Sequence, residues 1–207
     1  MLKNVIIDHD NLVISVYNLL QKVNQSVSHI KNLTVSKKNI ADFVTNIDFH
    51  VEQMLIDGLK IIDDVPCLSE ESYQSINCYD YWAIDPIDGT TNLIHGYPSY
   101  CVSIAKVGNG VTEYGFVYNL ATKEFFIGIK DQGAYLLNSR NAKKLKLFVS
   151  NVCKISDSLI AFGCPYDKTK TDKIFMISNK IIKQCHDLKR NFTTSFFKNQ
   201  FRCFIIP

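Results

Sequence analysis

Tyr81 to His95 reads YWAIDPIDGTTNLIH, and the order of residue types in this stretch decides the fold. Tyr81, Trp82, Ala83 and Ile84 make a short apolar run that predicts a buried strand, which Pro86 is expected to stop. Asp88-Gly89-Thr90-Thr91-Asn92 has the composition of a helix N-terminus. Asp85 at the strand end and Asp88 beyond the turn are thereby held at one corner, with the N–H groups of Gly89, Thr90 and Thr91 directed at the same space. Two carboxylates are hard anionic ligands for a cation, and the backbone of a first helical turn is a cradle for phosphate. The plainer reading makes Asp88 a helix cap and Asp85 a strand-end turn residue. The length of the string favours the first.

On the N-terminal side, Val5, Leu12, Val16, Leu19, Leu20 and Val23 recur at three- and four-residue spacing, which predicts an amphipathic helix over about 4–25. Residues 26–42 alternate and turn polar, as an irregular hairpin that carries Lys37. A second helix follows through Val51, Met54, Leu55, Ile56 and Leu59, capped by Thr45 or Asn46. Asp48 then falls in its first turn, where the helix dipole favours a carboxylate; Glu52, one turn later, reads as solvated. Cys67 to Ser72 reads as a short strand running into a loop, so of the adjacent Glu70 and Glu71 one is free to face a site.

On the C-terminal side the texture is β-rich. Strands are predicted over 100–107, 114–119, 125–129, 134–137 and 145–149, with turns at Gly108-Asn109-Gly110, Asn119 to Thr122, Asp131-Gln132-Gly133 and Asn138 to Asn141. Residues 158–162 add one more strand and about 171–185 an amphipathic helix; 191–207 show neither period. The expected fold class is an α+β or α/β layered sandwich, with N-terminal helices packed on an antiparallel meander and an incomplete C-terminal layer. The expected divisions are a metal-binding domain over 1–150, the start of an α/β domain over 151–190, and a divergent tail over 191–207.

With 207 residues, 46% hydrophobic and 21% charged, the chain has room for a sizeable core and an ordinary globular composition. A net charge of +3 is too small to argue for a nucleic-acid partner, and none is expected. The sequence holds no apolar run long enough for a membrane span, and Asp8, His9 and Asp10 interrupt any signal-peptide pattern, so the expected location is cytoplasmic. Seven cysteines without a C-x-x-C pair suit reduced, packed thiols, with neither a disulfide nor a zinc framework expected.

Four motifs in order resemble the inositol monophosphatase-like phosphatases, and most closely their bacterial inositol-1-monophosphatase branch, also called extragenic suppressor proteins. They are Asp42-Phe43-Val44-Thr45-Asn46-Ile47-Asp48, Leu68-Ser69-Glu70-Glu71-Ser72, Trp82 to Asn92, and the meander with Gly133-Ala134. The resemblance implies Mg²⁺ as cofactor, held by Glu70, Asp85, the Ile87 carbonyl and Asp88. It implies that substrate lies against Ile87, Asp88, Gly89 and Thr90, with Thr91 as a further phosphate contact, and Lys37 matches a lysine of the family's mobile hairpin near the site. Glu70, Thr90 and Asp48 would be the catalytic residues that position the attacking water. His95 reads as packed or capping.

The activity implied is Mg²⁺-dependent hydrolysis of a small phosphate monoester, foremost inositol 1-phosphate, by a homodimer. Sugar bisphosphates and 3′-phosphonucleotides are substrates of relatives with the same core, and some bacterial relatives have a non-catalytic, transcription-associated role. Two departures stand out. Ser69 replaces the family's usual glycine, which is expected to shift the loop carrying Glu70 slightly. The family's later motifs, a second-metal aspartate and a substrate-binding glutamate among them, are lost after about Phe192, so the chain reads as truncated, with activity impaired or absent.

Overall fold

The computed structural model describes residues 10–30, 34–39, 42–72, 77–138, 143–163, 168–190 and 204–206. Helix α1 spans Asn11–His29. It begins later than its apolar period suggests, because the Asp10 carboxylate accepts the N–H groups of Leu12 (3.0 Å) and Val13 (3.3 Å) and caps it there. It also runs on beyond residue 25, so the hairpin is shorter than expected: β1 (Val35–Asn39) pairs antiparallel with β2 (Asp42–Thr45). Helix α2 (Asn46–Ile62) starts directly from β2, with Thr45 as the cap.

One mixed sheet holds seven of the described strands: β3 (Cys67–Ser69), β4 (Tyr81–Asp88), β5 (Cys101–Gly108), β6 (Val111–Asn119), β7 (Glu124–Ile129), β8 (Gly133–Asn138) and β9 (Lys143–Leu147) lie side by side in chain order. β3 runs parallel to β4 and every later neighbour is antiparallel, as a meander requires. The first turn of the meander places Asn109 and Gly110 both at positive φ (51° and 73°), the conformation that closes a two-residue hairpin.

The core forms where period two meets period 3.6. Ile84, Ile104, Phe116 and Ile127 stand in register across β4 to β7 and are buried, as are their row neighbours Val102, Tyr118 and Phe125. Against them pack Val13, Val16, Tyr17, Leu20 and Val23 of α1 and Val51, Leu55 and Leu59 of α2. Lys106 is the exception in this face: it is buried, ion-paired with Asp63 and seated over the Trp82 ring, whose N–H donates to the Asp63 carbonyl. This satisfies a buried cation from both sides.

Pro86 does not stop β4. The strand continues to Asp88, and its pairing with β5 slips between Asp85 and Asp88. A bulge takes Pro86, which has no N–H for the ladder, out of register and bends the strand. Helix α3 (Thr90–Ile94) follows immediately, with Gly89 in the cap position and His95 closing it.

A second sheet contains β10 (Leu159–Phe162) flanked by β11 (Asp187–Arg190), parallel, and β12 (Phe204–Ile206), antiparallel. Helix α4 (Thr171–Ile182) connects β10 to β11, so the crossover explains why α4 ends before residue 185. β11 and β12 were not expected from the sequence; of the stretch 191–207, only Phe204–Ile206 lies among the described residues. The described parts give an α+β layered architecture.

Candidate active site

Helix α2 enters the site through its first turn. Asp48 has no solvent exposure, and its Oδ2 accepts both the Thr45 N–H (2.8 Å) and the Thr45 hydroxyl (2.6 Å). The Thr45 side chain accepts the backbone N–H of Asp48 in return, which makes the arrangement a capping box that fixes the Asp48 rotamer, and it also accepts the Ile47 N–H. The other oxygen, Oδ1, accepts the hydroxyl of Thr90 at 2.9 Å across 42 residues of sequence. Thr90 Oγ1 also lies 3.0 Å from the Ile87 carbonyl oxygen. Asp48 therefore ties the start of α2 to the start of α3, beyond any dipole role.

Asp85 and Asp88 flank the bulge of β4. Asp85 is buried opposite Ser103, and Asp88 is half-buried opposite Cys101, whose thiol donates to Asp88 Oδ2 at 3.9 Å. Burial, then the charges of Asp88 and Asp85, push the Cys101 thiol far up, so it stays protonated beside them. Gly89 completes the corner with φ 93°, and a Cβ there would come within 2.8 Å of the Ser99 carbonyl oxygen. The Asn92 side chain holds that same carbonyl at 2.6 Å, folding the chain after α3 back onto the corner.

Glu70 reaches the corner from β3. Its N–H donates to the Ile84 carbonyl at 3.2 Å, continuing the β3–β4 pairing by one residue and setting Glu70 beside Asp85 in the backbone. Ser69 is buried and paired with Ile84, and its hydroxyl accepts the Glu71 N–H at 3.4 Å. Thr91 is exposed on α3. Lys37 lies on β1 opposite Phe43, with its side chain outside the described residues; β2 packs against α3.

The sequence expectation for Glu52 does not hold. Glu52 is not solvated: it is 7% exposed, and its Oε1 accepts the Ser72 hydroxyl at 2.7 Å. The i, i+4 spacing from Asp48 was the available signal, since it places both carboxylates on one helix face.

Carboxylates and a carbonyl are the donor chemistry a hard divalent cation takes. Asp85, Asp88 and the Ile87 carbonyl fit that need at one bend of β4, with Glu70 one strand away. Among the described residues no three His, Cys, Asp or Glu side chains converge closely enough to form an ion-holding cluster on their own.

Fold and corner together define a layered α+β protein with an oxygen-rich bend beside a helix start. The chain belongs to the inositol monophosphatase family, whose model matches residues 7–197. It is 32% identical over 163 residues to Nus factor SuhB of Pasteurella multocida (77% of this chain, 59% of that protein). It is 34% identical over 165 residues to inositol monophosphatase 1 of Bos taurus (76% and 56%). The crystal structure of extragenic suppressor protein suhB from Bartonella henselae superposes with a TM-score of 0.76 at 27% identity, covering 89% of this chain and 71% of that one. The chain thus spans less than three fifths of the length of these two sequence relatives. No helix among the described residues is long and apolar enough to cross a membrane.

Proposed function

We propose that this protein hydrolyses a small phosphate monoester with the help of Mg²⁺, inositol 1-phosphate being the favoured substrate. The observation that carries the reading is the Asp48–Thr90 hydrogen bond beside the Asp85–Asp88 bend. A threonine hydroxyl has one proton; donated to Asp48, it leaves the Thr90 oxygen lone pairs to accept a hydrogen bond from water. The Glu70 carboxylate supplies a second acceptor, so that a water between them would be oriented for attack. The N–H groups of Gly89, Thr90 and Thr91 are suited to bind the phosphate oxygens. Glu70, Asp85, the Ile87 carbonyl and Asp88 would hold Mg²⁺, which when bound neutralises phosphate charge and lowers the pKa of a coordinated water. Water adds to phosphorus as the ester P–O bond breaks, and the leaving alkoxide takes up a proton.

Initial rates with inositol 1-phosphate, a sugar bisphosphate and a 3′-phosphonucleotide test the substrate. The expected result is the highest kcat/KM for inositol 1-phosphate; a clear preference for either of the others overturns that choice while leaving the reaction class.

The same reading includes a break near residue 150 between a metal-binding domain (1–150) and the start of an α/β domain (151–190), a divergent tail at 191–207, and a cytoplasmic homodimer. Limited proteolysis and sedimentation are the checks. A second, non-catalytic role is favoured by one observation: the Pasteurella multocida relative is named a Nus factor. Binding to transcription proteins that survives Asp88→Asn would support it.

A further inference from the structure

The geometry points to Glu52 as the positioning residue for the loop that carries Glu70, acting through Ser72. This rests on the proposed role of Glu70. Asp48 and Glu52 stand one turn apart on the same face of α2, and both are buried, at 0% and 7% exposure. A carboxylate is costly to bury unless hydrogen bonds replace water. For Asp48 the partners are Thr45 and Thr90; for Glu52 the partner is Ser72, whose hydroxyl donates at 2.7 Å across 20 residues of sequence.

Glu70 is thereby fixed from two directions. On one side its own N–H is bonded to Ile84, at the end of the β3–β4 pairing. On the other, two residues further along, Ser72 is bonded to α2. Without the second tie the loop would pivot about the strand end, and the carboxylate of Glu70 would move with it. One helix face therefore contacts both halves of the site: Asp48 holds the Thr90 corner and Glu52 holds the Glu70 loop. The separation of the two halves is set by one turn of a helix whose packing face is fully buried at Val51 and Leu55.

The test compares wild type with Ser72→Ala, Glu52→Leu, their double variant and Glu52→Gln. Two readouts are used: amide hydrogen exchange in the peptide covering 67–72, and Mg²⁺ affinity by calorimetry. Exchange in that peptide should quicken in Ser72→Ala and Glu52→Leu and not further in the double variant, because both remove the same bond. Glu52→Gln keeps an acceptor for Ser72 and should stay near wild type. Mg²⁺ affinity should fall about tenfold in the two single variants, as when a group that orients a metal ligand is lost. Ser72→Ala changes an exposed side chain, so it reports on the tie even if Glu52→Leu fails to fold. Unchanged exchange in Ser72→Ala, or quickened exchange with unchanged Mg²⁺ affinity, would overturn the assignment. If wild type neither binds Mg²⁺ nor releases phosphate, the proposed function falls, and the exchange readout alone decides whether Glu52 anchors the loop.

Discussion

Thr90 is the residue on which the local geometry turns, because its hydroxyl meets a buried carboxylate on one side and the Ile87 carbonyl on the other. Thr90→Val keeps the shape but strips Asp48 Oδ1 of its donor. Leaving a buried acceptor unpaired costs about 1–3 kcal/mol of stability. If the hydroxyl also orients water, kcat should fall roughly 10²–10³-fold, the scale of a lost transition-state hydrogen bond. Thr90→Ser should recover most of the rate; a Thr90→Val variant as fast as wild type would remove Thr90 from the chemistry. Gly89 is constrained differently. With φ 93° and the Ser99 carbonyl 2.8 Å from where a Cβ would sit, Gly89→Ala should cost on the order of 1–3 kcal/mol in urea unfolding.

At the scale of elements, α2 and the α1–β6 contact are the two supports. Leu55 is fully buried in α2 against the sheet, so Leu55→Ala should lower stability by about 2–5 kcal/mol, measured by urea denaturation. Between α1 and β6, the Gln21 amide donates to the Tyr118 hydroxyl at 2.8 Å. Burial pushes the Tyr118 hydroxyl up from 10.0 to about 12, with nearby Tyr17 adding to the rise and the Gln21 bond opposing it. The folded state thus holds this proton more tightly than the unfolded chain. Its contribution is full below pH 10 and is lost as pH rises through about 12. Tyr118→Phe should flatten part of this alkaline slope; an unchanged slope would mean Tyr118 does not set it.

The elements also separate what the sequence could tell from what it could not. The two helices and the meander were legible because their apolar periods match the faces that are buried. The bend was legible because Asp85, Asp88, Gly89 and Thr90 are contiguous; Asp48 and Glu70 joined it only through family resemblance. The continuation of β4 past Pro86 depends on a bulge, which a lone proline does not announce. β11 (Asp187–Arg190) has one apolar residue in four and exists through its pairing with β10, a tertiary effect no local pattern carries. Glu52 was misread because a buried glutamate and a solvated one look alike until the Ser72 hydroxyl is seen beside it.

Over the whole molecule, the proposed site residues come from α2, the β3–β4 edge of the seven-stranded sheet and the start of α3, while the three-stranded sheet stands apart in the pairing. The proposed site draws on residues 48 to 91, inside the region that the family model matches. The most direct test is Mg²⁺-dependent phosphate release from inositol 1-phosphate by the purified chain, run beside Asp88→Asn. The proposed chemistry predicts release that rises with Mg²⁺ and drops to background in the variant. Equal rates in the two proteins, both shown to be folded, would contradict it.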